Sequence, residues 1–353
     1  MNYFKQHKKY LFSTVLAISL VISCVGCKNK QENPSQSNSS SETAATPISK
    51  SNFMLNTFIT VTIYDSQDEN IIDECFNLCE QYENLLSRTR SSSEIYQLNH
   101  AQGAPMKLSK DTITLLNRGI YYSEISNGAF DISVEPITSL WNFGSKDQHV
   151  PDPEELKKAV SLVGYKNILL TDNEATLTKE GMGIDLGAIA KGFIADRMKD
   201  FLLEQGVKSA IINLGGNVLC VGSKPSGEAF KIGIQKPYEQ YSETIAVMEI
   251  KDKSVVSSGI YERAFVEDGV NYHHILNPST GYPYDNNLLS VTIVSDASVD
   301  GDGLSTTCFA LGLDQGLELI NSLENTYAAF ITKDGTLHYS EGFLENIPVS
   351  ETN

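Results

Sequence analysis

The chain has 353 residues, 44 acidic side chains against 27 basic ones, and a formal net charge of −17. That length suits one large domain or two intimately joined ones. The acidic surplus argues against nucleic acid or an anionic lipid surface as partner, and an anionic ligand would need a local cationic site or a metal.

Lys5, Lys8 and Lys9 precede an apolar run from Leu11 to Ile22 that is too short to span a bilayer comfortably and reads as a secretory signal. It ends in Val21-Ile22-Ser23-Cys24-Val25-Gly26-Cys27. A small residue followed by cysteine after such a run resembles a bacterial lipobox, whose cysteine is lipidated and becomes the new N-terminus. Cys24 has aliphatic residues before it, and Cys27 has glycine before it and the polar segment after it, so either fits; an ordinary cleaved signal is the alternative. Residues 1–27 are thus read as signal and lipobox. Residues 28–50, dominated by Asn, Ser, Gln, Glu, Thr and Pro, are read as a disordered tether. Residues 51–345 are read as the globular domain.

Phe53 to Tyr64 alternates and is β-branched, which predicts a strand with Leu55-Asn56-Thr57 at its start. A helix is predicted over Asp68–Ser87, with Ile71, Ile72, Cys75, Cys79, Tyr82 and Leu86 on its apolar face. Arg88 to Asn99 reads as a polar loop. A second helix, capped by Ser109, runs to about Ser126, where Asn127-Gly128 stops it. Ala129 to Val134 reads as a short strand limited by Pro136. Ile184-Asp185-Leu186-Gly187-Ala188-Ile189-Ala190-Lys191-Gly192 reads as a strand end, a glycine turn and a helix start, the helix ending at Gly206. Further strands fall near 210–213, 230–235, 245–250 and 289–295, and a last helix is placed near Asp302. Strands alternating with amphipathic helices indicate a mixed α/β or α+β domain with a substantial sheet. Cys75, Cys79, Cys220 and Cys308 show no zinc spacing and read as small buried hydrophobes.

Four segments carry the polar chemistry. A lysine in a helix's first turn opposes the local field, so Lys191 points to a bound anion held by helix N–H groups and the ammonium together, although a structural turn is an equal reading. Asp302 and Thr306 stand at i and i+4 and offer two hard oxygens to a small cation such as magnesium; an acidic cap cluster is the alternative. Tyr272-His273-His274-Ile275-Leu276-Asn277-Pro278-Ser279-Thr280-Gly281-Tyr282-Pro283 holds adjacent histidines, one expected toward a cleft and one toward solvent. Asn213-Leu214-Gly215-Gly216-Asn217 and Ser257-Ser258-Gly259 permit close backbone approach to a flat or phosphorylated ligand.

Taken in order, and with Gly128-Ala129-Phe130-Asp131, these segments resemble the ApbE-type FAD:protein FMN transferases, whose fold packs helices on central sheets. The resemblance implies that FAD lies in a cleft with Mg2+ at its pyrophosphate. Asp302, Thr306 and the Ala188 carbonyl would hold the metal, and Lys191 and Asp185 would contact FAD. Ala129, Phe130 and Asp131 would line the flavin side. Leu55 sits where the family usually has methionine, Thr89 where an aromatic is common, and Ile275 follows the family histidine; Asn56 replaces a glycine and Asn277 an aspartate. The implied reaction moves FMN from FAD to a threonine of an acceptor flavoprotein subunit of the redox-pump or extracytoplasmic electron-transfer type, and releases AMP. His274 and Lys191 are the catalytic candidates, and a carboxylate near the metal shares the candidacy for general base. The implied location is outside the cytoplasmic membrane on a lipid anchor. Water as nucleophile, giving an FAD pyrophosphatase, and a non-catalytic FAD-binding lipoprotein are the rival readings. Acceptors of the family carry an Asp/Ser-Gly-x-Ser/Thr-x-Thr-like segment; Asp302-Gly303-Leu304-Ser305-Thr306-Thr307 looks similar but stands in family order as the metal site.

Overall fold

The computed structural model describes residues 46–239 and 243–351. The signal, Cys24, Cys27 and most of the tether lie outside the described residues. Pairing already begins at Ile48, inside the stretch read as tether. Strands β1 (Ile48–Met54) and β2 (Thr57–Ile63) form a hairpin in which Met54 opposes Thr57. The single strand expected from Phe53 to Tyr64 is therefore broken by a two-residue turn. Leu55 (φ +53°) and Asn56 (φ +57°) both adopt left-handed backbone there, the twist that two-residue hairpins require.

Helix α1 (Glu69–Leu86) is capped by Asp68 and buries Ile72, Cys75, Phe76, Cys79 and Leu86. The loop expected over Arg88–Asn99 contains helix α2 (Glu94–Asn99), which is too short to show a period. The Ser93 hydroxyl, at 3.0 Å from the Tyr96 N–H, caps it. Strand β3 (Met106–Lys107) leads to α3 (Lys110–Ile125), capped by Ser109 and stopped by left-handed Asn127 and Gly128. No strand forms over Ala129–Val134: Val134 makes a lone bridge to Gly183, and Pro136 opens helix α4 (Glu135–Trp141) instead of limiting a strand. Helix α5 (Pro153–Leu162) and strands β4 (Ile168–Leu170) and β5 (Glu174–Leu177) follow. The strand end expected at Ile184 reduces to that bridge at Gly183.

Helix α6 (Ala190–Glu204) then leads into the hairpin of β6 (Ser209–Leu214) and β7 (Asn217–Gly222). Next come β8 (Phe230–Gln235), β9 (Thr244–Ile250), β10 (Ser254–Gly259), β11 (Ala264–Glu267), β12 (Val270–His273) and β13 (Leu288–Ser295). Helix α7 (Ser298–Leu311) starts four residues before Asp302, so Asp302 is not in its first turn as expected. The missed residues, Ser298 to Gly301, include a glycine and are capped from another helix, which the local sequence does not reveal. Helix α8 (Leu313–Asn321), strands β14 (Tyr327–Thr332) and β15 (Leu337–Tyr339), helix α9 (Phe343–Asn346) and strand β16 (Val349–Glu351) complete the described chain. The fold thus runs past residue 345, because β16 pairs with β9.

The main sheet has eight strands in the order β1-β2-β6-β7-β10-β13-β14-β15, with antiparallel pairing throughout. This makes the domain α+β. Ile59, Val61 and Ile63 of β2 pack with Ile194, Met198 and Leu202 of α6 and Cys75 and Cys79 of α1. Elsewhere Cys220, Val255 and Val294 pack on Phe230 and Met248 of the three-stranded sheet β16-β9-β8. The four cysteines among the described residues are buried and free, and burial pushes the thiols of Cys75, Cys79 and Cys220 up to about 12. Among the described residues no helix is long and apolar enough to cross a membrane.

The segment after His274 is anchored by Trp141, whose Nε1 donates to the Gly281 carbonyl at 2.7 Å. Asn277 builds the turn itself, its Oδ1 accepting from the Ser279 N–H at 2.9 Å and hydroxyl at 2.7 Å. Trp141→Phe removes the donor and leaves that carbonyl unpaired beside a buried ring. The expected cost is about 1–3 kcal/mol, read as a lower midpoint in urea unfolding.

Candidate active site

The site is built where helices α6 and α7 meet. Neither helix has a side-chain cap of its own, because Ile189 and Ala297 occupy the two N-cap positions. Each helix is capped by the other. Asp196 on α6 accepts from the Ser298 N–H at 2.7 Å and the Val299 N–H at 2.9 Å, which satisfies the start of α7. Asp302 on α7 accepts from the Gly192 N–H at 2.6 Å, which satisfies the start of α6. The approach is close enough that a Cβ on Gly192 would lie 2.2 Å from the Ser298 carbonyl oxygen and 2.7 Å from the Val299 Cα. Glycine is needed at 192 for backbone contact.

Gly192 is the third residue of α6, so its N–H is one of the donors at a helix start that have no partner within the helix, and Asp302 takes it. The carbonyl of Ala188, just before the helix, accepts no hydrogen bond among the described residues. A backbone oxygen without a protein donor thus stands in the segment that leads to Lys191.

Asp302 is only 5% exposed. Its second oxygen accepts from Asn217 Nδ2 at 2.9 Å, and Asn217 Oδ1 accepts from the Ser298 hydroxyl at 2.8 Å. The Ser254 hydroxyl stands 2.9 Å behind Ser298. Burial pushes the Asp302 carboxyl above its ordinary value, while Lys191, Asn217 and the Gly192 N–H favour the charged form. One turn along α7, the Thr306 hydroxyl is 3.3 Å from the Ser258 hydroxyl, and Ser305 is 2.8 Å from the same oxygen.

Lys191 makes no ion pair among the described residues, yet its charge acts on Asp302, Glu262 and His274 together. The two histidines do point apart. His273 is buried against Phe309 and bonds the Tyr284 carbonyl at 3.0 Å. His274 is half-buried, with Nδ1 at 3.3 Å from the Arg263 carbonyl. Desolvation, then the Arg263 and His273 charges, push its imidazole down to about 3, so it stands neutral.

The structure joins Ala188, Lys191, Asp302 and Thr306 at the α6–α7 junction; the other sequence candidates have partners of their own. Asp185 is engaged by Arg88 Nε at 3.1 Å, the Thr138 hydroxyl at 2.8 Å and the Gly187 N–H at 2.9 Å, so it fixes the turn before Lys191. The Asp131 carboxylate is buried and accepts from Ser133 and from the Tyr165 N–H at 2.9 Å. Phe130 and Ile275 are core residues. Ala129 borders a second cleft, beside Asn277 and Tyr284. Leu55 packs on the core beneath β2, and Thr89 is exposed beside Ser87. Asn217 was legible only as part of a glycine turn, and Asp196 carried no signal, because its partner N–H groups lie on a helix about a hundred residues away. Among the described residues no cluster of three or more His, Cys, Asp or Glu stands in a metal-holding arrangement. The donor set here is one carboxylate, one hydroxyl and one free carbonyl, which suits a hard cation that keeps waters or phosphate oxygens. The segment Asp302–Thr307 lies within α7, with Asp302, Ser305 and Thr307 buried.

Residues 55–331 match the model of the ApbE family. An FAD:protein FMN transferase of Klebsiella pneumoniae is 38% identical over 76% of this chain and 84% of its own length. Another, of Treponema pallidum, is 34% identical over 85% of this chain and 89% of its own. Among solved structures, the ApbE protein of Thermotoga maritima superposes with a TM-score of 0.78 at 28% identity, covering 84% of this chain and 98% of that one. The flavin transferase ApbE of Vibrio cholerae gives 0.77 at 27%, covering 85% and 99%.

Two outcomes follow from the paired caps. Gly192→Ala forces α6 from α7 and breaks the Asp302 bond, costing about 1–3 kcal/mol in chemical denaturation. Burial holds the Asp196 carboxyl up at about 6 against an ordinary 3.8. The folded state therefore keeps a proton that the unfolded chain releases, so this group's contribution to stability falls as pH rises from about 4 to about 6. Asp196→Asn should flatten that part of the curve of stability against pH.

Proposed function

The chain belongs to the ApbE family, and on that premise we propose that its α6–α7 site transfers FMN from FAD to a threonine hydroxyl of an acceptor flavoprotein with Mg2+ at the pyrophosphate. The observation that carries the reading is the meeting, at one helix junction, of an ammonium with no ion-pair partner among the described residues, a buried carboxylate and a backbone carbonyl without a protein donor. Asp302, Thr306 and the Ala188 carbonyl would hold the metal, which when bound neutralises charge on the pyrophosphate oxygens. The fit is supported by Asp302 itself: each of its oxygens has one protein donor, leaving lone pairs over.

The chain's own groups do the rest. Lys191 holds the phosphates for in-line attack, its ammonium supplying the positive charge that a chain of net −17 otherwise lacks. Asn217 and Gly192 fix the Asp302 carboxylate so that it does not reorganise when substrate binds. The Arg88–Asp185 pair holds the turn that aims Lys191. The acceptor oxygen bonds to the FMN-side phosphorus, the bond to the bridging oxygen breaks, and AMP leaves. Anchoring through a lipidated Cys24 or Cys27 would place this chemistry outside the cytoplasmic membrane.

Incubation with FAD, Mg2+ and an acceptor flavoprotein should yield acceptor that fluoresces on a denaturing gel, with equimolar AMP. Free FMN with an unlabelled acceptor would overturn transfer in favour of hydrolysis, and intact FAD would leave binding alone. Asp302→Ala should lose the Mg2+-dependent turnover, about a hundredfold or more; normal turnover by that variant would sink the metal assignment.

A further inference from the structure

We propose that Glu262 takes the proton from the attacking acceptor hydroxyl, which enters through the cleft walled by Tyr238, Tyr261 and Asn271. This rests on the FMN-transfer reading of the site.

The backbone places Glu262 correctly for this task. Strand β10 carries Ser258 against Thr306, and the turn after it is closed by the Glu262 N–H on the Gly259 carbonyl at 3.3 Å. One short segment thus carries both the hydroxyl that meets Thr306 and the Glu262 carboxylate. The charges of Lys191 and Asp302 both act on the Glu262 carboxyl, so the two carboxylates share one ammonium.

The other acidic groups nearby are already engaged. Both oxygens of Asp302 accept hydrogen bonds, Asp185 has Arg88, Thr138 and Gly187, and Asp196 caps α7. Glu262 has no side-chain donor at hydrogen-bond or ion-pair distance among the described residues; the Gly259 backbone is the only hydrogen-bonding group that stabilises its charged form. Glu262 is exposed at the cleft, where a hydroxyl on another protein can reach it, and desolvation by the surrounding protein raises its carboxyl above the ordinary value. His274, the other candidate, is bonded to the Arg263 carbonyl and too weakly basic to compete.

The approach route has its own form. Glu262 borders a cleft of about 360 Å³ that opens past Tyr261 and Asn271 to Tyr238. Tyr238 is 63% exposed, stands at a left-handed φ of +65°, and sets its ring edge-on to Tyr261 at 5.8 Å. A bulky residue held in that conformation at a cleft mouth is a common mark of a functional contact.

In the step itself, the acceptor oxygen forms its bond to phosphorus while its proton passes to a Glu262 carboxylate oxygen. The bond between that phosphorus and the bridging oxygen breaks, and AMP leaves with the electron pair. Glu262 then returns the proton to water.

The test compares wild type, Glu262→Gln and Glu262→Asp in the full chain. The probe acceptor is a carrier protein fused to an Asp-Gly-Ala-Ser-Ala-Thr segment. FAD affinity is read by flavin fluorescence and transfer by single-turnover covalent labelling. Glu262→Gln should bind FAD within about threefold of wild type and transfer FMN about 10²–10⁴-fold more slowly, with Glu262→Asp recovering part of the rate. Wild-type transfer by Glu262→Gln would overturn the assignment, as would a loss of FAD affinity as large as the loss of rate. Should Glu262→Gln fail to fold, the same two readouts on Glu262→Asp decide: unchanged transfer overturns the assignment, and a slowed rate with FAD affinity kept supports it. A wild-type enzyme that labels no acceptor and releases FMN would overturn the transfer reading itself, a failure distinct from that of Glu262.

Discussion

Helices α6 and α7 lack caps of their own and use each other's carboxylates, Asp196 on the start of α7 and Asp302 on the start of α6. Unsatisfied N–H groups at a buried helix start are costly, so this exchange fixes the distance and rotation between the two helices. It operates only because Gly192 lets the α6 backbone touch the backbone at Ser298. The polar features of the site follow from that contact. Asp302 is held at both oxygens, and Lys191 stands at the junction with no ion-pair partner among the described residues.

The same contact makes the local electrostatics intelligible. A chain this acidic repels an anionic ligand at long range. At short range the balance is set by an ammonium beside a helix start and by a desolvated carboxylate that gains from any cation brought to it. The antiparallel sheet serves this junction from below. Strands β7 and β10 bring Asn217, Ser254 and Ser258 to α7, so that a polar row joins the sheet to the helix through Ser298 and Thr306.

Reading the sequence alone succeeded where a residue's role is local. Ser109 caps α3, Asn127-Gly128 ends it, a helix starts next to Asp68, and strands form near 230–235 and 289–295 as expected. It failed where a short element or a tertiary partner decides. Leu55-Asn56 turns a hairpin that alternation alone read through, Pro136 opens a helix in place of limiting a strand, and α7 begins before Asp302 because its cap comes from Asp196.

The order of motifs along the chain determined the family, and residue type and spacing singled out Lys191, Asp302 and Thr306 as candidates and showed the acidity that demands a local cation. Those are properties of residue type and spacing, which the sequence carries in full. Only the folded chain decided that Asp131 and Ile275 serve the core, that Asp185 holds a turn, and that Asn217, Gly192 and Asp196 support the Asp302 carboxylate. A hydrogen bond between residues about a hundred positions apart leaves no period and no local pattern, so its existence is settled by packing alone.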